Sequence, residues 1–234
     1  MNTNNKTEKN KKINTEKYIG IAIFSALSVI VALVCNVIPP IAGFLSLDAK
    51  DAIIAIASFI YGPVSAVAIS LIAAFIELVT FSTTGWYGFV MNFASSAVFS
   101  ITASLIYRKR RNINGALISF FGAVIMATGV MLLLNIFVTP LYLVSYLGMP
   151  SEIAKSEVMG MLPSILLPFN LAKALMNSAI AMFLYKPLAT ALKRTRLLAG
   201  GEGGMKFNRN SVIIVTVGGA ALIASVVIFI ILSL

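Results

Sequence analysis

Long apolar runs, separated by turn signals or by blocks of basic residues, recur along this 234-residue chain. A helix needs about 20 apolar residues to cross the hydrocarbon core of a bilayer, and several of the runs reach that length. Charged residues make up only 11% of the chain, whereas soluble domains carry about 25%. The sequence therefore predicts an all-α fold, a polytopic bundle of transmembrane helices.

Proline, glycine and polar breaks between the runs set the predicted boundaries of the helices. Six transmembrane spans are predicted, at residues 18–38, 48–61, 64–81, 86–107, 115–146 and 164–185. Pro140 is expected to end or kink the fifth span. The segment 148–163 is predicted to be a loop with a short surface helix.

Composition divides the chain into four segments. Residues 1–16 are polar and are predicted to form a disordered basic N-terminus. Residues 17–192 form the six-helix membrane domain, and residues 193–210 form a basic, glycine-rich linker. The apolar run at 211–234 contains no charge and is predicted to be an extra C-terminal transmembrane helix.

Basic residues are concentrated beside the apolar runs, in the N-terminal segment and in the segments 108–111 and 193–209. A cytoplasmic N-terminus would place all three blocks inside and leave only Lys50 and Lys155 in the outer loops. Because cytoplasmic loops of membrane proteins are enriched in Lys and Arg, we expect a multi-pass protein of the cell membrane with this orientation. The net charge of +10 thus indicates topology in the lipid bilayer, and nucleic acid is not an expected partner.

Composition excludes histidine-based acid–base catalysis and cysteine-rich metal sites, because the chain has no histidine and one cysteine, Cys35. Asp48 and Asp51 invite comparison with membrane enzymes that bind metal through paired aspartates. Such enzymes need further aspartates, which the sequence lacks. Capping of the second span, with Asp48 at the N-cap and Asp51 in the first turn, explains both residues more simply. No catalytic residue and no metal ligand is predicted.

Charged or amide side chains deep in the spans need a structural or functional reason, since such groups are costly in lipid. Asn170, Lys173 and Asn177 follow helical spacing and share one face of the sixth span. One interpretation is structural: Lys173 pairs with Glu77, and the asparagines join helices. The other is a polar ligand pocket in the outer half of the bundle, to which Asn135 of the fifth span would contribute.

Several stretches together resemble the riboflavin-specific substrate-binding (S) components of energy-coupling factor (ECF) transporters, over about residues 17–192. The stretches that carry the resemblance are Phe44–Asp48, Tyr61–Pro63, Thr84–Phe93, Leu134–Tyr142 and Leu167–Lys173. The resemblance implies a six-helix substrate-binding domain with both ends cytoplasmic, so the extra run at 211–234 is a departure from it.

The resemblance also implies a function. The chain would bind riboflavin near the outer face, carry out no chemistry and need no cofactor. The substrate-binding residues implied are Leu47, Asp48, Asn92, Asn135, Tyr142, Asn170 and Lys173. Ala22 and Ala26 would dock a membrane-embedded coupling subunit. Two ATP-binding cassette ATPases would join that subunit and use the ATP, which agrees with the absence of the Walker A spacing here.

Three alternatives remain open from the sequence. The same architecture could bind another vitamin, such as a folate, pantothenate or a thiamin precursor. A small membrane enzyme could act on lipid head groups through Asp48, Asp51 and Glu77. A secondary transporter could use Glu77 or Lys173 as a proton relay.

Overall fold

The computed structural model of the protein describes residues 3–111, 113–194 and 210–233, and these residues are almost entirely helical. The elements are α1 (Thr3–Cys35), α2 (Lys50–Tyr61), α3 (Pro63–Thr80), α4 (Gly85–Lys109), α5 (Ile113–Leu147), α6 (Ser151–Met161), a π-helical turn (Leu162–Leu166), α7 (Leu167–Arg194) and α8 (Asn210–Ser233). The predicted all-α membrane bundle is confirmed.

Within the described residues, five helical segments are long and apolar enough to cross a membrane. They are Thr15–Cys35, Pro63–Thr80, Gly85–Lys109, Asn114–Leu147 and Ser151–Tyr185. Large apolar side chains on their outer faces are exposed, as a lipid-facing surface requires; Val64, Phe121 and Phe137 are examples. Two further helices, α2 and α8, complete the bundle.

Helix α2 is the centre of the bundle although it is too short to cross a bilayer alone. Its 12 residues span about 18 Å at 1.5 Å per residue. Residues 50–58 are all buried, because α1, α3, α4 and α7 surround the helix. Gly62, with φ of +95°, then reverses the chain, and Pro63 occupies the first position of α3, where its missing N–H costs nothing.

Two predicted boundaries differ from the structure, and one proline does not end its helix. Helix α1 begins at Thr3, within the segment predicted to be disordered, where lysine and glutamate favour a helix. Pro140 lies inside α5, which continues to Leu147, close to the predicted end of the fifth span. The proline therefore does not end the helix, since neighbouring helices support a membrane helix across a proline. The predicted short helix before the sixth span is present as α6, but the π-helical turn joins it directly to α7.

The C-terminal helix α8 packs antiparallel on α7. Ser225 Oγ donates a 2.8 Å hydrogen bond to the carbonyl oxygen of Ala172, and the rings of Phe229 and Phe169 lie 6.4 Å apart. Nearer the other end of α7, Gly218 lies against the ring of Phe183. Most of the predicted linker, at residues 195–209, lies outside the described residues.

Candidate functional site

A pocket opens between α4, α5, α7 and the α1–α2 loop, and encloses about 680 Å³ of empty space, part of it open to solvent. The lining residues are Phe44, Leu45, Ser46, Thr84, Tyr87, Gly88, Met91, Asn92, Ser95, Met131, Asn135, Val138, Thr139, Tyr142, Phe169, Asn170 and Lys173. Helix α4 runs from this pocket to the basic block at 108–111, so the pocket and that block occupy opposite ends of the bundle.

Helical spacing explains how three helices supply most of this lining. On α4 the contributing positions are separated by three or four residues, from Tyr87 to Met91 and on to Ser95. On α5 the same spacing connects Met131, Asn135 and other members of one face. Residues at such spacing lie on one side of a helix. On this face of α4 the sequence analysis predicted only Asn92 and missed Tyr87, Met91 and Ser95, although their spacing is a signal that could have revealed them.

The α1–α2 loop folds back over the pocket. Ile41 and Leu45 exchange two backbone hydrogen bonds, each 3.0 Å long, and both side chains are buried. The intervening turn places Phe44 against Tyr142 of α5, with 5.7 Å between ring centroids. Residues 41–47 are apolar for a loop, a character that predicts packing on the protein, and the burial of Ile41 and Leu45 confirms it.

Aromatic side chains form one wall of the pocket. Tyr87 and Tyr142 meet edge to face at 6.3 Å, and the hydroxyl groups of Tyr87 and Ser145 lie 2.9 Å apart. Tyr142 also stacks on Tyr146 at 5.2 Å. Such pairs hold the rings in fixed orientations, so the wall offers a planar ligand a preorganised aromatic surface.

Three buried ion pairs lie behind the pocket, one of them between Lys50 Nζ and Asp48 Oδ2 at 3.6 Å, and they correct the predicted pairing of Lys173 with Glu77. Lys173 Nζ lies 2.8 Å from Asp48 Oδ2, whereas Glu77 Oε2 lies 2.7 Å from Lys50 Nζ. Asn92 Nδ2 also donates to Glu77, over 3.0 Å. Lys50, predicted to lie in an outer loop, is therefore a buried residue, only 1% exposed.

The predicted capping role of Asp48 is also wrong, because α2 begins at Lys50 and its N-cap position is Ala49. Asp48 precedes the cap and accepts a 3.3 Å hydrogen bond from the backbone N–H of Lys50. Its carboxylate is instead held by the ion pair with Lys173. Asp51 lies in the first turn as predicted, and both Ser95 and Ser96 of α4 donate to it.

The side chain of Asn177 in α7 forms hydrogen bonds with the backbone around the start of α2. Its Oδ1 accepts the N–H of Ala52 at 2.8 Å, and its Nδ2 donates to the carbonyl of Asp48 at 2.9 Å. Ala52 is in the first turn of α2, where backbone N–H groups have no partner inside the helix. Asn177 therefore serves the fold, as the structural interpretation of the asparagines predicted.

The structure divides the predicted substrate-binding residues into two groups. Five of them line the pocket: Asn92, Asn135, Tyr142, Asn170 and Lys173. The other two, Leu47 and Asp48, line a smaller adjoining cavity that also contains Glu77, Asn92 and Ser82. Ala22 and Ala26 lie elsewhere, exposed on the outer face of α1.

The chemistry of this site is that of binding. Asparagine amides both donate and accept hydrogen bonds, and the ammonium group of Lys173 has three donors, of which Asp48 receives one. Among the described residues, no cluster of three or more potential metal ligands occurs. The fold and the site therefore define a multi-pass membrane protein with a pocket of polar and aromatic side chains at one end.

Comparison with known proteins specifies the class. The family model described as the substrate-specific component of ECF transporters matches residues 17–185. The chain is 30% identical over 190 residues to the riboflavin transporter RibU of Staphylococcus aureus, covering 79% of this chain and 97% of that one. It is 26% identical to the riboflavin transporter RibU of Streptococcus thermophilus, covering 76% and 85% respectively.

A solved structure of the S component of a bacterial ECF transporter superposes with a TM-score of 0.62 and 28% identity. The match covers 77% of this chain and 99% of that chain. The chain belongs to the family of ECF transporter substrate-specific components, which are transporter subunits and not enzymes. Helix α8 lies beyond the residues that the family model matches.

Proposed function

We propose that the protein captures riboflavin in the pocket between α4, α5 and α7 and delivers it to the cytoplasm as part of an ATP-driven importer. The observation that carries this proposal is the lining of the pocket, where an aromatic wall and the amides of Asn135 and Asn170 border the same space. The isoalloxazine ring of riboflavin is planar and has carbonyl and N–H groups along one edge. Stacking and amide hydrogen bonds together recognise such a ring.

The ribityl chain of riboflavin needs a second, more polar space. The adjoining cavity supplies one, since it shares Ser46, Thr84 and Asn92 with the main pocket. It also contains Glu77, whose Oε1 is buried and has no hydrogen-bond partner among the described residues. A ligand hydroxyl could donate to this oxygen, which favours a polyol-bearing ligand.

The orientation and partners follow from charge and from the family. The basic end of the bundle is placed in the cytoplasm, which leaves the pocket at the outer face. The exposed small residues Ala22 and Ala26 on α1 allow close approach of another helix. They are assigned to a membrane-embedded coupling subunit, with two ATP-binding cassette ATPases as the energy source.

Thermal unfolding of the purified protein with a panel of vitamins tests the substrate assignment. Riboflavin, a folate, pantothenate and a thiamin precursor would be compared at equal concentrations. Since a ligand that binds only the folded state stabilises it, riboflavin is expected to raise the unfolding midpoint most. A larger shift with another vitamin would leave the proposed architecture standing and would identify that vitamin as the substrate.

An uptake assay tests the proposed energy source, independently of the substrate assignment. In cells that supply the coupling subunit and ATPases, labelled riboflavin should accumulate, and accumulation should stop when ATP is depleted. Accumulation by this chain alone that collapses with a protonophore would contradict the proposal and favour the secondary transporter.

A further inference from the structure

A second cavity lies at the opposite end of the bundle, beneath the turn between α2 and α3. It encloses about 640 Å³ of space, part of it open to solvent. Lys17 of α1, Arg108 of α4 and the following Arg111 line it, together with Phe59, Gly62 and Val64. The cavity shares no residue with the riboflavin pocket, so it is a separate site.

Positive charge dominates this cavity. Three cationic side chains line one space: Lys17 of α1, Arg108 of α4, and Arg111, which follows α4. The guanidinium of Arg108 lies over the turn, with its Nη1 4.0 Å from the position that a Cβ atom would take at Gly62. Glu16 neighbours Lys17 in sequence, but counting it still leaves a net charge of +2 here. An anion would relieve the repulsion between the cations.

Arginine guanidinium groups match the oxygens of a phosphate, because their N–H groups form a planar fork that can bind two oxygens at once. Two arginines and a lysine around one cavity therefore suit an anionic group with several oxygens, such as a phosphate. Basic pockets between transmembrane helices are known to receive the phosphate head groups of lipids.

The surroundings favour a lipid as the source of that phosphate. Val64, which lines the cavity, is 74% exposed. It begins a stripe of exposed apolar residues along one face of α3, continued at helical spacing by Val67, Leu71 and Phe75. An acyl chain can follow this stripe while its head group remains among the cations.

We propose that this cavity binds the phosphate head group of an anionic phospholipid, with an acyl chain along the exposed stripe of α3. The site would anchor the basic end of the bundle to the surrounding leaflet. The inference depends on the geometry of α1, α3 and α4 and on membrane insertion. It does not depend on the identity of the vitamin.

The basic block at 108–111 provides a matched control. Arg108 and Arg111 line the cavity, whereas Lys109 and Arg110 are exposed neighbours that do not. The double variants Arg108→Gln/Arg111→Gln and Lys109→Gln/Arg110→Gln lose the same charge from the same segment. Their comparison separates a built site from a general electrostatic attraction.

The experiment titrates the purified full-length protein, in neutral detergent, with dioleoyl phosphatidylglycerol or dioleoyl phosphatidylcholine. Native mass spectrometry counts the bound lipid. We expect the wild type to prefer the anionic lipid, and Arg108→Gln/Arg111→Gln to weaken its binding by about tenfold or more. Lys109→Gln/Arg110→Gln should bind like the wild type. Thermal unfolding checks that both variants fold, and Lys17→Gln tests the site independently from α1.

Three outcomes would overturn the proposal. The first is equal binding of the two lipids by the wild type. The second is an equal loss of phosphatidylglycerol binding in the two double variants, which would indicate a diffuse surface potential. The third is full competition by inorganic phosphate or glycerol 3-phosphate at the same concentration as the lipid, which would identify a soluble anion as the ligand.

Discussion

Lys173 of α7 donates a 2.8 Å hydrogen bond to Asp48, a residue 125 positions earlier in the chain. Lys173 lines the pocket, while Asp48 lies behind it and contacts the adjoining cavity. Asp48 occupies one of the three ammonium donors. Lys173 can therefore contact a ligand without giving up its ion pair, and the pair connects the ligand site with the start of α2.

Two asparagines should separate binding from stability. Asn135 lines the pocket, and its amide forms hydrogen bonds within α5, to Met131 and Thr139. Asn135→Ala should therefore weaken riboflavin binding by about fivefold, as expected for loss of a hydrogen bond worth about 1 kcal/mol. Its unfolding midpoint should change little. Fluorescence titration and thermal unfolding of the same preparations measure the two effects.

Asn177→Ala is the matched control for that variant. It removes the partners of two backbone groups, the N–H of Ala52 and the carbonyl of Asp48. Leaving buried polar groups unpaired costs about 1–3 kcal/mol each. The unfolding midpoint should fall clearly. Wild-type stability of Asn177→Ala, or wild-type affinity of Asn135→Ala, would refute the assigned roles.

Lys50 and Glu77 should be strongly coupled in a double-mutant cycle. Both groups are buried. Lys50→Met leaves the charge of Glu77 without its ion-pair partner, which costs about 3–5 kcal/mol, and Glu77→Met leaves Lys50 with the more distant Asp48, at 3.6 Å. Lys50→Met and Glu77→Met should each destabilise the protein strongly, and the double variant should lose much less than the sum. Unfolding in detergent measures all three. An additive double variant would show that the pair does not form.

The exposed pair Lys155–Glu152 is the control for this cycle. Its side chains are 62% and 86% exposed, at a separation of 3.1 Å. Exposed ion pairs contribute about 0–1 kcal/mol, so the corresponding substitutions should be nearly neutral.

Removal of α8 should leave the pocket intact. All residues that line the pocket lie between Phe44 and Lys173, so a variant ending at residue 209 should still bind riboflavin. Its unfolding midpoint should fall, because the face of α7 that packs on α8 becomes exposed. Retention of the fold with loss of binding would contradict the assignment of residues 17–192 as the substrate-binding domain.

The sequence predicts helices and the pocket face of α7 well, because both depend on local patterns. Apolar runs, glycine and proline identify most ends of the spans within a few residues, although the last span begins at Ser151 and not at residue 164. Helical spacing places Asn170 and Lys173 on one face, and the structure puts both in the pocket lining. The apolar character of the α1–α2 loop predicts that it packs on the protein, which the burial of Ile41 and Leu45 confirms.

Pairing across the bundle could not be predicted in the same way. Lys50 and Glu77 are separated by 27 positions and belong to different helices, so their contact depends on the crossing of α2 and α3. Because Glu77 pairs with Lys50, Lys173 pairs with Asp48 instead. The capping prediction for Asp48 failed for a related reason, since the tertiary ion pair decides its position more strongly than local helix chemistry.

Titration of riboflavin into the purified, ligand-free protein tests the central claim most directly. Stacking against the aromatic wall of Tyr87 and Tyr142 should quench flavin fluorescence. The account predicts saturable quenching at one riboflavin per protein, weakened in Asn135→Ala. Absence of quenching and of any shift in the flavin absorption would contradict the claim that this pocket binds riboflavin.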